Sequence, residues 1–169
     1  MEAENRSKSD VSKAHVITIS DGVAAKKRSD ESGPTLVRIL ERGQFEVSGP
    51  EVVPDEQDRI GNAIVAAADS GADIVVTTGG TGLGPRDVTP QATAKLIDYE
   101  VPGIAEEMRR VGMASTPMAA ISRAMAGVRG RTLIINVPGS AKGASESLEA
   151  VMPVLDHALR LLHGDTAHQ

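Results

Sequence analysis

The sequence predicts an α/β fold, a three-layer α/β/α arrangement built on a mostly parallel sheet. Two observations lead there. The runs His15–Ser20, Asp73–Thr78 and Arg131–Asn136 are apolar with little polar alternation, as strands covered on both faces are. Segments with apolar residues at helical spacing separate them, and strands alternating with helices imply parallel pairing with helices on both sheet faces.

In chain order, residues 1–13 are charged and polar without periodicity and read as a disordered tail. One domain is expected over 14–165, followed by a short tail over 166–169. His15-Val-Ile-Thr-Ile-Ser20 is a β-branched strand that ends at Asp21-Gly22. Leu36, Ile39 and Leu40 set a helix from Ser32 to Arg42, with Gly43 as its stop. Phe45–Val53 is a second strand candidate, weakened by Gly49-Pro50. Asp55 is expected to N-cap a helix reaching Ser70, with Ile60, Ile64, Ala67 and Ala68 on one face and Gly71 as terminator. Beyond the buried strand Asp73–Thr78, Thr89-Pro90 supplies an N-cap and a first-turn proline for a helix to about Tyr99. Gly103–Val111 and Pro117–Met125 read as two short helices. After the strand Arg131–Asn136, an amphipathic helix runs from about Ala144 to Leu162. Its stripe is Leu148, Val151, Leu155, Leu159 and Leu162, and Pro153 is expected to kink it.

Composition narrows the function. The chain has 169 residues, 40% of them hydrophobic, and a net charge of −5. It has no cysteine, which excludes disulfides, cysteine nucleophiles, iron–sulfur clusters and Cys-type zinc sites. Phe45 and Tyr99 are its only aromatics, so it lacks stacking platforms for single-stranded nucleic acid. An acidic pI near 5.4 argues further against a nucleic-acid partner. Apolar runs are far shorter than the ~20 residues needed to span a bilayer, and no apolar segment near the N-terminus resembles a signal peptide. The expectation is a soluble, cytoplasmic protein that binds no membrane.

Ligands of parallel α/β sheets bind at the carboxyl ends of the strands. That edge should gather the loops after Ser20, Thr78 and Asn136. The central loop, Gly79-Gly80-Thr81-Gly82-Leu83-Gly84, holds four glycines in six positions, freeing backbone N–H groups to face an anion. It fits neither G-x-G-x-x-G, since Pro85 stands where a glycine is required, nor a P-loop, since no Gly-Lys-Ser/Thr follows. Asp87 and Asp55 each follow a strand. Either could merely cap a helix, but two carboxylates beside a phosphate cradle also make a plausible Mg²⁺ site. The third loop, Pro138-Gly139-Ser140-Ala141-Lys142-Gly143, offers a hydroxyl, an ammonium and the start of the last helix to an anion. The first loop adds Ser20, Asp21 and the run Lys26-Lys27-Arg28, which is either a solvated loop or a steering patch for a polyanion. The four histidines have neither metal-ligand nor triad spacing.

The strings TTGGTGLGPRDVTPQAT (77–93) and SRAMAGVRGRTLIINVPGSAKG (122–143) resemble the MogA/MoaB family of molybdenum-cofactor biosynthesis. Ser20-Asp21, Glu31-Ser32-Gly33-Pro34 and Val53-Pro54-Asp55-Glu56 follow the same pattern, and the resemblance covers about residues 14–165. It implies the molybdopterin-binding α/β/α fold, shared with the gephyrin G domain, assembled as a homotrimer. It also implies transfer of AMP from Mg-ATP to the terminal phosphate of molybdopterin, with release of pyrophosphate. By resemblance, Asp55 and Asp87 fall on essential aspartates, and Gly79, Gly80, Thr81, Gly82 and Ser140 fall on ligand contacts. The product would pass to a molybdenum-insertion enzyme. The alternative is a MoaB-like protein that binds pterin or nucleotide without catalysis. Two departures stand out, the run Ala24-Ala-Lys-Lys-Arg28 and Ala141 where proline is frequent.

Overall fold

The structure is a computed structural model and describes residues 11–165. Six strands form one sheet in the order β2-β1-β3-β6-β5-β4. Strands β1 (Lys13–Ile19), β2 (Glu46–Val53), β3 (Ile74–Thr78) and β6 (Thr132–Val137) pair in parallel, whereas β5 (Ala126–Arg129) and β4 (Tyr99–Glu100) complete one edge antiparallel. The predicted mostly parallel sheet is therefore present. Strand β1 starts at Lys13, the last residue assigned to the tail; residues 1–10 and 166–169 lie outside the described residues.

Alternate residues of each central strand enter different cores. After the single-turn helix α1 (Asp21–Ala24), the longer helices cover the sheet: Ala14, Val16, Ile74, Val76, Leu133 and Ile135 face α2 (Ser32–Arg42), α5 (Pro102–Ser115) and α6 (Ala141–Leu162). Ile17, Ile19, Val75 and Ile134 face α3 (Gln57–Asp69) and α4 (Thr89–Ala94). This two-sided burial explains why the strands read as continuous apolar runs. Leu148, Val151, Leu155 and Leu159 of α6 are buried as the stripe requires, and the helix continues through Pro153.

Several local expectations are corrected. The strand expected over Phe45–Val53 is present as the edge strand β2 from Glu46, and Gly49-Pro50 falls in a bulge where β2 carries one residue more than β1. Gly49 has φ +93 and lies against the Val16 carbonyl, where a side chain would collide. Helix α2 ends at Gly43 as expected, but Gln44 takes the left-handed conformation, at φ 65. Asp55 does not cap α3. The N-cap residue is Glu56, and it makes no side-chain cap bond. The helix expected to reach Tyr99 stops at Ala94. Asp98 instead donates its N–H to the Val128 carbonyl, drawing Tyr99 and Glu100 into β4. Pro117–Met125 is a short 3-10 turn, Pro117–Ile121, leading to β5, a four-residue strand that contains a glycine and follows no readable period.

Candidate functional site

The loops after β1, β3 and β6 meet at the carboxyl edge of the sheet, where they enclose a cleft of about 700 Å³. Ser20, Asp55, Gly79, Gly80, Thr81, Gly82, Asp87, Gly139 and Ser140 all line it, as the sequence suggested. Direct contacts hold the loops together. Gly139 lies against Gly79, and the Thr78 hydroxyl donates to the Pro138 carbonyl at 2.8 Å. The Thr89 hydroxyl donates to the Gly79 carbonyl at 2.9 Å. Gly79 at φ +104 presses on the Ile19 carbonyl, so no side chain fits there.

Glycines also let the loop wrap the carboxylates. A Cβ on Gly82 or Gly84 would sit 2.9 or 2.8 Å from Asp87 Oδ2, and one on Gly80 would sit 3.2 Å from Asp55 Oδ1. The Gly84 N–H reaches Asp87 Oδ2 at 2.9 Å. The N–H groups of Gly80, Thr81 and Gly82 donate to nothing among the described residues, nor do those of Gly139, Ser140 and Ala141. All six residues that carry these unpaired donors line the cleft. Two of them, Ser140 as N-cap and Ala141 as first residue, open α6, where the Ser140 hydroxyl accepts the Gly143 N–H and the helix dipole favours an anion.

Asp21 and Asp55 are joined reciprocally. The Asp21 N–H donates to Asp55 Oδ2 at 2.7 Å, and the Asp55 N–H donates to Asp21 Oδ1 at 3.0 Å. Arg86 grips the Asp21 carboxylate with two bonds of 3.0 Å each. That guanidinium, with the Asp55 N–H, holds the Asp21 carboxyl below its ordinary range. Burial pushes Asp55 upward, and the charges of Asp21 and Asp87 add to the rise. Asp21 is therefore a tie behind the cleft rather than part of its wall.

Two expected residues point elsewhere. Lys142 is exposed on α6, 3.9 Å from Glu146, since its place in the first helical turn aims it along the helix surface. Pro138 lines an adjoining cavity of about 310 Å³, more apolar than the cleft and bounded by Met108, Met118, Thr81, Gly82 and Ser140. Of the basic run, only Arg28 reaches the cleft, with Nη2 2.9 Å from the Ser20 hydroxyl. Sequence reasoning missed Arg86 and Arg123. Arg123 donates to the carbonyls of Gly82 and Asp87 at 2.9 and 2.6 Å, and to Gln91 Oε1 at 3.2 Å. Nothing local in the sequence signals that an arginine 41 positions from Gly82 braces the glycine loop.

The donor set fits Mg²⁺. Asp55 Oδ1 and Asp87 Oδ1 accept no hydrogen bond among the described residues. Two carboxylates are what a magnesium site commonly takes from protein, with water and substrate phosphates supplying the rest. Among the described residues no group of three or more His, Asp or Glu could hold a metal unaided.

Comparison with known proteins places the chain in a family. The family model described as a probable molybdopterin binding domain matches residues 15–157. The chain is 40% identical over 151 residues to the molybdenum cofactor biosynthesis bifunctional protein of Synechococcus elongatus, covering 89% of this chain and 47% of that protein. It is 37% identical over 156 residues to the molybdopterin adenylyltransferase of Helicobacter pylori strain J99, covering 89% of this chain and 87% of that one. The crystal structure of the molybdopterin biosynthesis enzyme MoaB from Thermus thermophilus superposes with a TM-score of 0.86 at 53% identity, covering 91% of this chain and 98% of that one. Several curated relatives are longer, and the chain spans about half the length of the bifunctional proteins it matches. Sheet order, glycine cradle and paired carboxylates all lie within the matched span, and the chain belongs to the MogA/MoaB family of molybdopterin-binding domains.

Proposed function

We propose that this protein serves molybdenum-cofactor biosynthesis as a molybdopterin adenylyltransferase. It would move AMP from Mg-ATP to the terminal phosphate of molybdopterin and release pyrophosphate. The observation that carries this reading is one cleft holding both an unpaired backbone N–H cradle and two carboxylates with free oxygens. The Helicobacter pylori relative bears this activity in its name, which supports the same reading.

A terminal phosphate oxygen of molybdopterin attacks the α-phosphorus of ATP. One P–O bond forms as the α–β bridge breaks, and the electron pair leaves with pyrophosphate. A phosphate monoester has a second pKa near ~6, so the attacking oxygen has largely lost its proton at neutral pH. No general base is needed, and none is placed here. Positioning and charge compensation are the protein's task. The N–H groups of Gly80, Thr81 and Gly82 and the start of α6 hold phosphate oxygens. Asp55 and Asp87 would hold Mg²⁺, whose chemistry when bound is to neutralise phosphate charge. Arg86, through Asp21, keeps Asp55 in place, and Arg123 keeps the loop around Asp87. A homotrimer, a cytoplasmic location and delivery to a molybdenum-insertion enzyme belong to the same proposal.

Incubation with molybdopterin and Mg-ATP should yield adenylylated molybdopterin by mass spectrometry and an equal amount of pyrophosphate. The 53% identity to a MoaB structure favours a second reading, a non-catalytic molybdopterin or nucleotide binder. Molybdopterin bound with no product from any nucleotide would select it.

A further inference from the structure

The cleft has a charge imbalance that a polyanion must overcome. Four carboxylates line it, those of Asp30, Glu31, Asp55 and Asp87. Arg28 is the single cationic side chain among the described residues on its wall. The other nearby cations are engaged elsewhere: Arg86 grips Asp21, Arg123 holds backbone carbonyls, and Lys142 lies beside Glu146.

Arg28 is held in place without being neutralised. Its side chain lies across Gly22, where a Cβ would come within 2.9 Å of Nε and 3.3 Å of Cδ. Glycine at 22 leaves room for the guanidinium in this position. Its Nη2 donates to the Ser20 hydroxyl at 2.9 Å, a neutral partner, and it forms no ion pair with a carboxylate among the described residues. Asp30, two residues on, lines the cleft but is engaged by other partners. Its oxygens accept the Thr18 hydroxyl at 2.7 Å and the Gly33 N–H at 2.9 Å. The rest of the guanidinium fork is open to a ligand, and its planar donors match phosphate oxygens.

We infer that Arg28 is a substrate-binding residue whose guanidinium takes a phosphate group of the ligand entering the cleft. The inference rests on the reading of the cleft as a phosphate-ester site. Two sources offer that chemistry, the triphosphate of ATP and the terminal phosphate of molybdopterin. Whichever it is meets Arg28 in the cleft that Asp55 and Asp87 also line. Lys26 and Lys27, exposed and outside the cleft wall, have no such role.

Calorimetric titration of Mg-ATP and of molybdopterin, separately, into the unaltered protein, Arg28→Ala, Arg28→Lys and Lys27→Ala tests the assignment. Arg28→Ala should weaken one ligand at least tenfold, naming the phosphate source. Arg28→Lys should recover part of that loss, since it keeps the charge and loses the fork. Lys27→Ala should stay within twofold, which separates a placed contact from general charge. Binding of both ligands by Arg28→Ala within twofold of the unaltered protein would overturn the inference, as would failure of the unaltered protein to bind either. If the unaltered protein binds but forms no product, the adenylyl-transfer reading fails while the Arg28 assignment is still judged by the titrations.

Discussion

The two ends of the central strands carry similar polar residues in opposite conditions. At the amino end, Asp73 is fully engaged: Oδ2 accepts the Lys13 N–H at 2.7 Å and Oδ1 faces His163 Nε2 at 3.0 Å. Beside it the Thr132 hydroxyl donates to the Ala72 carbonyl at 2.7 Å. At the carboxyl end, Asp55 and Asp87 each keep one oxygen without a partner among the described residues, and six residues with unpaired backbone donors line the same space. Size does not separate the two ends, since a cavity of about 730 Å³ opens at the amino end against about 700 Å³ at the other. Satisfied polar groups lock a fold; unsatisfied ones of complementary sign invite a ligand.

The largest expected effect is on the open end. Asp87→Asn should lower turnover about a hundredfold or more, as loss of a charge-stabilising group does, while the melting temperature changes by no more than about 2 °C. Activity within about threefold of the unaltered protein would remove Asp87 from the mechanism. Next comes the glycine cradle. Gly79→Ala puts a side chain at φ +104 against the Ile19 carbonyl, at a cost of roughly 1–3 kcal/mol of strain. Thermal melting should fall by several degrees, and ligand affinity should fall with it.

The closed end should behave the other way. Asp73→Ala removes two partners of a partly buried carboxylate and should cost about 1 kcal/mol in chemical denaturation. Turnover per folded molecule should not change. A variant that loses activity without losing stability would show that this end, too, serves a ligand.

The smallest effect is a pair of opposed pH dependences. Asp55 has a raised carboxyl in the folded chain, so the folded state holds its proton more tightly than the unfolded state. Its ionisation costs stability as pH rises from the ordinary value of 3.8 through the raised one. Asp21 is lowered by Arg86, so its contribution is present above 3.8 and lost as pH falls through the lowered value. In urea titrations from about pH 3 to 7, Asp55→Asn should gain on the unaltered protein as pH rises, and Asp21→Asn should lose ground. Parallel curves for all three would show that neither carboxyl is perturbed by its surroundings.

Local pattern sufficed for much of this molecule. Apolar runs at 15–20, 73–78 and 131–136 marked the buried strands, and the glycine spacing of 79–84 marked the cradle, because burial on two faces and backbone exposure each leave a compositional trace. Strand β5 and the end of α4 left none; four and two residues of edge pairing are too few to impose a period. The role of Asp55 was likewise undecidable locally. Pro-Asp-Glu before a helical run looks like a cap, and only the approach of the Asp21 N–H, 34 positions away in sequence, turns that carboxylate into the cleft. Arg86 on Asp21, Arg123 under the loop and Arg28 across Gly22 are equally products of packing. Sequence determined which backbone could turn and which faces would be buried, since these depend on each residue and its near neighbours. Tertiary structure alone decided which charges meet, because a long side chain's partner depends on where distant segments come to rest.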